Sequence, residues 1–143
     1  MMNQQEKIKR NEFLKKLGFS GASLFALYTL DSCQNESNVA PLTGDITVDL
    51  ADASNAQLKT NGGYVIKNGV VIARVNATTY IAATLTCSHE GKNQIMFKSN
   101  EWYCTAHGAR FDQTGRGLNT EGKKGLKIYQ TTLLNSTLTV KAA

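Results

Sequence analysis

The sequence predicts an all-β fold, a small antiparallel β-sandwich or barrel, from three observations. From Asp45 onward, apolar residues alternate with polar ones or form short apolar runs. Turn signals rich in asparagine and glycine separate these runs, at residues 61–63, 68–69 and 135–136. After Cys33, no window sustains the 3.6-residue period of an amphipathic helix. Several short strands at this spacing are typical of a small sandwich or barrel.

Each strand is predicted from its own pattern. ITVDL and TLTVK alternate along the chain, whereas VVIARV is a short apolar run, and both patterns are typical of strands in a half-buried or buried sheet. In chain order, we expect strands at 46–50, 63–67, 70–75, 79–85, 94–98, 101–104, 126–134 and 137–141.

Length and charge limit the possible functions. The chain has 143 residues, which is enough for one domain of ordinary size. Its net charge is +5, and beyond residue 32 the balance is +3, from 11 basic and 8 acidic residues. Beyond residue 32, the basic residues are scattered, without interleaved aromatics, and the longest basic run is the pair 123–124. This composition does not favour nucleic-acid binding.

The first 32 residues have the pattern of a secretory signal helix. Residues 7–16, KIKRNEFLKK, are basic, and residues 17–30, LGFSGASLFALYTL, are mostly apolar. The apolar run has 14 residues, whereas crossing the hydrocarbon core takes about 20. We therefore expect a signal peptide rather than a membrane-spanning helix.

The sequence LDSC at residues 30–33 resembles the lipobox of bacterial lipoproteins. The resemblance implies that Cys33 is acylated and becomes the mature N-terminus, so that the membrane is a partner through the lipid anchor. The alternative is an uncleaved helix that ends at an incidental cysteine. Residues 33–44 are polar and are expected to form a tether, which leaves residues 45–143 as the folded domain.

The signal also resembles an export motif. Residues 10–15, RNEFLK, are similar to the twin-arginine motif, with Asn11 in place of the second arginine. The route therefore stays open between twin-arginine and general secretory export. With either route we expect an exported, membrane-anchored lipoprotein that faces the periplasm or the cell exterior.

The two histidines of the chain each lie close to a cysteine. Cys87 and His89 follow one predicted strand, and Cys104 and His107 follow another. Each loop therefore offers one thiolate and one imidazole, which together make a four-ligand metal site. In an exported chain, three cysteines would ordinarily suggest a disulfide and an odd thiol. If Cys33 is acylated, however, the other two remain free for a metal. A tetrahedral zinc site is one alternative, although zinc loops usually space their ligands by two or more residues.

The pattern C-x-H, followed after 14 residues by C-x2-H, resembles the signature of the Rieske family. Gly91, the stretch HGARFD at 107–112 and the pair TG at 114–115 strengthen the resemblance, which covers roughly residues 45–143. It implies the Rieske type of fold, with stacked sheets and a cluster-binding subdomain. It also implies one [2Fe-2S] cluster per chain, with Cys87 and Cys104 on one iron and His89 and His107 on the other.

Mixed ligation has an electrostatic reason. Replacing two thiolates by neutral imidazoles makes the cluster less negative, so that adding an electron becomes easier. Clusters with two histidines therefore span about −150 to +300 mV, whereas plant-type clusters with four cysteines lie near −400 mV.

Three departures from respiratory members of the family stand out. Lys92 and Ala106 occupy the positions of a cysteine pair that forms a disulfide in those members. Ala109 and Phe111 stand where a serine and a tyrosine give hydroxyl bonds to cluster sulfurs. The sequence TEGKKG at 120–125 replaces a proline-containing third loop. Hydrogen bonds to sulfur favour the reduced form, so we expect a reduction potential in the low half of the family's range.

These features predict a one-electron carrier that works with a redox partner protein, either a cytochrome or a membrane oxidoreductase. The sequence shows no nucleophile and base pair, so catalysis would belong to the partner. Three alternatives stay open: an iron–sulfur subunit of a quinol–cytochrome c oxidoreductase-like complex, a ferredoxin-type component of an oxygenase, and a zinc-stabilised binding module. Trp102, Tyr103 and Phe111 are expected to pack beneath the site.

Overall fold

The structure is a computed structural model, and it describes residues 39–142. The predicted signal peptide, the predicted acylation site Cys33 and the first half of the predicted tether lie outside the described residues. In the part of the chain that is described, no helix is both long enough and apolar enough to span a membrane.

Ten strands and one 3-10 helix form the described part of the chain, which confirms the all-β prediction. In chain order they are β1 Ile46–Asp49, the 3-10 helix Ala53–Lys59, β2 Tyr64–Lys67, β3 Val70–Arg74, β4 Tyr80–Thr84, β5 Ile95–Lys98, β6 Glu101–Cys104, β7 Arg110–Phe111, β8 Ile128–Tyr129, β9 Thr131–Leu134 and β10 Thr137–Val140.

The strands form three antiparallel sheets. A central sheet has the order β2-β3-β4-β8, a second sheet has the order β1-β10-β9, and a third, smaller sheet has the order β5-β6-β7. The first and last strands pair with each other, with Ile46 opposite Val140. The folded domain is thus closed by contacts between its two ends.

The central sheet lies between two hydrophobic clusters. Along β3, Val71 and Ala73 belong to the cluster shared with the small sheet. Val70 and Ile72 belong to the cluster shared with the β1-β10-β9 sheet. Because successive side chains of a strand point to opposite faces, β3 is buried on both sides. The result is a stack in which the central sheet lies between the small sheet and the β1-β10-β9 sheet.

The predicted hairpin turn at residues 68–69 is present. Asn68 and Gly69 have φ angles of 50° and 75° and join β2 to β3. Two positive φ angles in a two-residue loop match the right-handed twist of the strands, and asparagine followed by glycine tolerates them best. The pair Ser99 and Asn100 makes a similar turn between β5 and β6, with φ angles of 54° and 62°, although the sequence analysis did not identify it.

The expected single strand at 126–134 is wrong. The structure divides it into β8, which pairs with β4 in the central sheet, and β9, which pairs with β10 in another sheet. The chain changes sheets at Gln130, whose carbonyl oxygen accepts a hydrogen bond of 2.9 Å from the Lys141 N–H. An alternating apolar pattern predicts a strand but does not indicate which strand it pairs with. The pattern alone therefore could not predict the change of sheet at Gln130.

The small sheet carries one half of the candidate site. Its strand β6 ends at Cys104, and its strand β7 begins three residues after His107. The other half follows β4 of the central sheet and precedes β5. One cysteine–histidine pair therefore lies in the connection from the central sheet to the small sheet, and the other lies in a connection within the small sheet.

Candidate metal centre

The first ligand loop, residues 86–93, is closed by its own backbone. The Cys87 N–H donates to the Lys92 carbonyl at 2.8 Å, and the Gly91 N–H donates to the Cys87 carbonyl at 2.9 Å. A φ of 68° at Gly91 lies in the left-handed region, which glycine adopts without steric cost. The Thr86 hydroxyl donates to the Asn93 side-chain oxygen at 2.8 Å and joins the loop ends.

The second ligand loop, residues 104–109, is closed in the same way. The Cys104 N–H donates to the Ala109 carbonyl at 2.9 Å, and the Gly108 N–H donates to the Cys104 carbonyl at 2.9 Å. Gly108 has a φ of 74°, as Gly91 does within a few degrees. In both loops, then, the backbone of the cysteine forms hydrogen bonds with the backbone of the residues four and five positions ahead. Cys104 is the last residue of β6, in agreement with the strand predicted at 101–104.

The two thiols lie side by side in the hydrophobic cluster beneath the loops. Cys87 and Cys104 are both free and almost fully buried. Burial raises the pKa of the Cys87 thiol to about 11, and the neighbouring Cys104 thiol adds to the shift, whereas the backbone N–H groups of His89 and Glu90 oppose it. Binding a metal therefore requires the release of a thiol proton, and the two N–H groups stabilise the thiolate that results.

The two imidazoles also lie next to each other. The ring centroids of His89 and His107 are 5.4 Å apart, with the ring planes at 78°. Nδ1 of His89 is buried and has no hydrogen-bond partner within residues 39–142. A buried polar atom without a hydrogen-bond partner lowers the free energy of unfolding by about 1 to 3 kcal/mol. This nitrogen is therefore available to bind a metal or another group that the chain itself does not supply.

The structure thus brings all four predicted residues to one place. Cys87 and Cys104 form a sulfur pair, and His89 and His107 form a nitrogen pair. Two sulfur and two nitrogen donors fit either a tetrahedral zinc ion or an iron–sulfur cluster. The unpartnered Nδ1 of His89 agrees with both, and the donor set alone does not distinguish them.

Aromatic side chains support the sulfur pair from within the domain. Trp102 and Phe111 are fully buried in the same hydrophobic cluster as the two thiols, which confirms that they pack beneath the site. The Trp102 ring lies 5.0 Å from the Phe97 ring in an edge-to-face arrangement. Tyr103 lies on the other face of β6, is only partly buried and is not part of this cluster, and its hydroxyl lies near Gly108 of the second ligand loop.

Asn119, which no sequence motif singles out, ties the third loop, 120–125, to the second ligand loop. The Asn119 side chain donates to the Gly108 carbonyl at 2.8 Å and accepts from the N–H groups of Arg110 and Gly122, both at 3.0 Å. The pattern N-x-x-G indicates a local asparagine turn, but nothing in the sequence indicates the bonds to Gly108 of the ligand loop and to Arg110 at the start of β7.

Two charged side chains at the rim were also missed. The Lys124 ammonium of the third loop lies 3.5 Å from the His89 carbonyl oxygen. The Glu90 carboxylate lies 3.4 Å from Nε2 of His107, on the outer side of the site. Both contacts join residues that are distant in sequence or lie on different loops, so spacing alone does not predict them.

Comparison with known proteins identifies the fold and its cofactor. Residues 48–130 match the model of the Rieske [2Fe-2S] domain family. No curated protein matches the chain. Among solved structures, the chain is similar to a cyanobacterial plasma membrane Rieske protein from Synechocystis PCC 6803, at 26% identity and a TM-score of 0.53 over 68% of this chain and 99% of that one. It is also similar to a ferredoxin of carbazole 1,9a-dioxygenase from Nocardioides aromaticivorans, at 23% identity and a TM-score of 0.52 over 68% of this chain and 98% of that one.

The family assignment decides between the two metals that the donor set allows. A Rieske domain binds a [2Fe-2S] cluster, so the cofactor of this domain is that cluster rather than zinc. The stacked antiparallel sheets agree with those of the structural neighbour. Because the family model covers more than half of its length, the chain belongs to the Rieske [2Fe-2S] domain family.

Proposed function

We propose that this protein is a lipid-anchored, one-electron carrier that works outside the cytoplasm, with its cluster held by four residues of the two ligand loops. Cys87 and Cys104 would bind one iron, and His89 and His107 the other. The site is of a type that lacks the disulfide between loops, because Lys92 and Ala106 are not cysteines. Instead of a disulfide, backbone hydrogen bonds within each loop hold the ligands in place.

One observation carries the ligand assignment. The sulfur donors form one buried pair and the nitrogen donors form another, and Nδ1 of His89 has no partner in the described chain. A cluster with one sulfur-ligated iron and one nitrogen-ligated iron needs this grouping. Each loop supplies one sulfur and one nitrogen donor, and the fold brings the two sulfurs together and the two imidazoles together.

When bound, the cluster accepts and releases one electron. The residues of the chain provide its surroundings. Trp102 and Phe111 exclude water from the sulfur side, since both are fully buried beneath it. On the opposite side, 43% of the His107 side chain is exposed, so the imidazole edge is within reach of a partner protein. We therefore place the docking site for a redox partner, a cytochrome or a membrane oxidoreductase, at the histidine face.

Metal analysis and EPR spectroscopy of the purified protein test this function. We expect iron and acid-labile sulfide in equal amounts, a visible charge-transfer spectrum and, after reduction, an EPR signal with the low average g value of mixed histidine and cysteine ligation. A colourless protein that contains stoichiometric zinc and gives no such signal would overturn the proposal.

The lipid anchor is supported by the LDSC sequence at residues 30–33 and by the apolar run that precedes it. The neighbour from Synechocystis is named as a plasma membrane protein, which agrees with a membrane location. Two acyl chains or more are needed for stable anchoring, because a single chain gives only marginal membrane binding.

Metabolic labelling with palmitate tests the anchor. We expect the label on the wild-type protein and its loss from Cys33→Ala, because acylation requires that thiol. Asn35→Ala, a substitution two residues away in the predicted tether, is the matched control and should keep the label. Equal labelling of the Cys33→Ala and wild-type proteins would show that the anchor is absent or lies elsewhere.

The two lost hydroxyls give a prediction about the reduction potential. Ala109 and Phe111 are fully buried in the hydrophobic cluster that contains both thiols. Ala109→Ser and Phe111→Tyr each restore a hydroxyl at a position where respiratory members of the family bond a cluster sulfur. Since such a bond favours the reduced form by about 1 kcal/mol, each variant should raise the midpoint potential by about 40 mV.

Protein-film voltammetry measures this shift. Ala106→Ser makes the same chemical change on the same loop, at a position where the family places no such hydroxyl, and should leave the potential nearly unchanged. A potential that stays at the wild-type value in both Ala109→Ser and Phe111→Tyr would mean that neither hydroxyl reaches a sulfur in this protein.

A further inference from the structure

Glu90 occupies a position at the candidate site that the ligand motif does not explain. It follows His89 on the first ligand loop, yet its carboxylate Oε2 lies 3.4 Å from Nε2 of His107 on the second loop. The ligand atoms of His89, Glu90 and His107 all lie within 4.8 Å of one another. The carboxylate is therefore next to both imidazoles, at the face where electrons would enter and leave.

The contact involves the outer nitrogen of His107. An imidazole that binds a metal through one nitrogen carries its proton on the other. Because Nε2 of His107 faces Glu90, Nδ1 of His107 would be the nitrogen left for iron. In the first loop, the buried and unpartnered Nδ1 of His89 agrees with the same choice of nitrogen. A carboxylate beside the outer N–H orients the ring and adds a negative charge close to the metal ligand.

The charge has a definite effect on electron affinity. The reduced protein carries one more negative charge than the oxidised protein, so a carboxylate at the ligand edge disfavours reduction. The two side chains are 43% and 47% exposed, so water and salt weaken the interaction without removing it. The Lys124 ammonium lies at the His89 carbonyl rather than at the carboxylate, and it forms no ion pair with Glu90 in the described residues.

We propose that Glu90 is a positioning and tuning residue, which holds the outer edge of His107 and lowers the reduction potential of the protein. The inference rests on the proposed function, because it requires His107 to be a cluster ligand. It adds a determinant that is independent of the lost hydroxyls, since it acts from the solvent side through a ring nitrogen rather than from the buried side through sulfur.

Voltammetry of Glu90→Gln tests the proposal, because glutamine keeps the size of the side chain and removes its charge. The equilibrium constant for reduction against a fixed mediator should rise about three- to tenfold, which corresponds to an upward shift of about 30 to 60 mV. Glu90→Asp keeps the charge and should stay closer to the wild-type value. Glu121→Gln, in the third loop, is the matched control: it makes the same change of net charge, and Glu121 forms no ion pair within the described chain.

The outcomes separate this inference from the proposed function. If the wild-type protein gives no EPR signal of mixed ligation, the proposed function fails. If that signal is present and Glu90→Gln has the wild-type potential, or shifts no more than Glu121→Gln, only the role of Glu90 is overturned. Glu90→Ala provides a second charge-removing variant. If both variants fold by circular dichroism but lack iron, Glu90 serves cluster assembly and not tuning, which also overturns the inference.

Discussion

Cys87→Ala and Cys104→Ala are each expected to give a colourless protein without iron or acid-labile sulfide. Each substitution removes one of the two sulfur donors that the structure places together beneath the ligand loops. An iron–sulfur cluster is held by deprotonated side-chain donors, and no third cysteine lies among residues 39–142 to replace a lost one. Iron analysis, visible absorption and EPR of the reduced protein measure the loss.

The fold should survive these substitutions. Cysteine and alanine differ by one buried sulfur atom, so we expect a loss of about 1 kcal/mol in the free energy of unfolding from the missing packing alone. Circular dichroism and urea unfolding of the metal-free proteins separate this effect from loss of the cluster. Cys33→Ala is the matched control, since it removes the remaining cysteine of the chain and should keep full iron and colour. Wild-type iron and sulfide in either Cys87→Ala or Cys104→Ala would contradict the ligand assignment.

Gly115→Ala is expected to lower the free energy of unfolding by about 2 to 4 kcal/mol. Gly115 has a φ of 86°, which a side chain disfavours. An added Cβ would also overlap the Leu126 carbonyl oxygen and would lie 2.8 Å from Cγ1 of Ile128. The same two segments are joined by a hydrogen bond of 2.7 Å from the Leu126 N–H to the Gly115 carbonyl, so the backbone has little room to move apart. Urea unfolding measures the change.

Alanine substitutions at two other glycines distinguish the cost of backbone strain from the cost of steric overlap. Gly69 has a similar φ of 75° but no atom within 4 Å of an added Cβ, so Gly69→Ala should report the backbone strain alone, about 1 kcal/mol. Gly44 has open space and no positive φ, so Gly44→Ala should be nearly neutral. If Gly115→Ala costs no more than Gly69→Ala, the close approach of the two segments does not constrain this loop.

Much of the fold could be predicted because its information is local. The period-two patterns gave strands close to their observed bounds, and asparagine followed by glycine gave the turn between β2 and β3. The division of residues 126–134 between two sheets was missed, because it depends on which distant strand supplies the hydrogen bonds. The 3-10 helix was missed because it is a single short segment without amphipathic periodicity.

The site was predictable to the same extent. Ligand spacing within each loop pointed to the four candidate residues that the structure brings close together, because cysteine and histidine are rare in this chain and each pair is local. How the loops meet was not predictable, since the contacts of Glu90 with His107 and of Asn119 with Gly108 cross between segments. The four candidate ligands can thus be found from local spacing, whereas their charged and hydrogen-bonded surroundings depend on how the chain folds.

The shared closure of the two ligand loops affects how the protein can mature. Main-chain hydrogen bonds close each loop at its cysteine, and Cys87 and Cys104 are both free thiols. Folding of the two loops therefore requires no thiol oxidase. Reducing agents that cleave disulfides should leave the loops intact. The loops can therefore take their final form under the same reducing conditions in which cells assemble iron and sulfide.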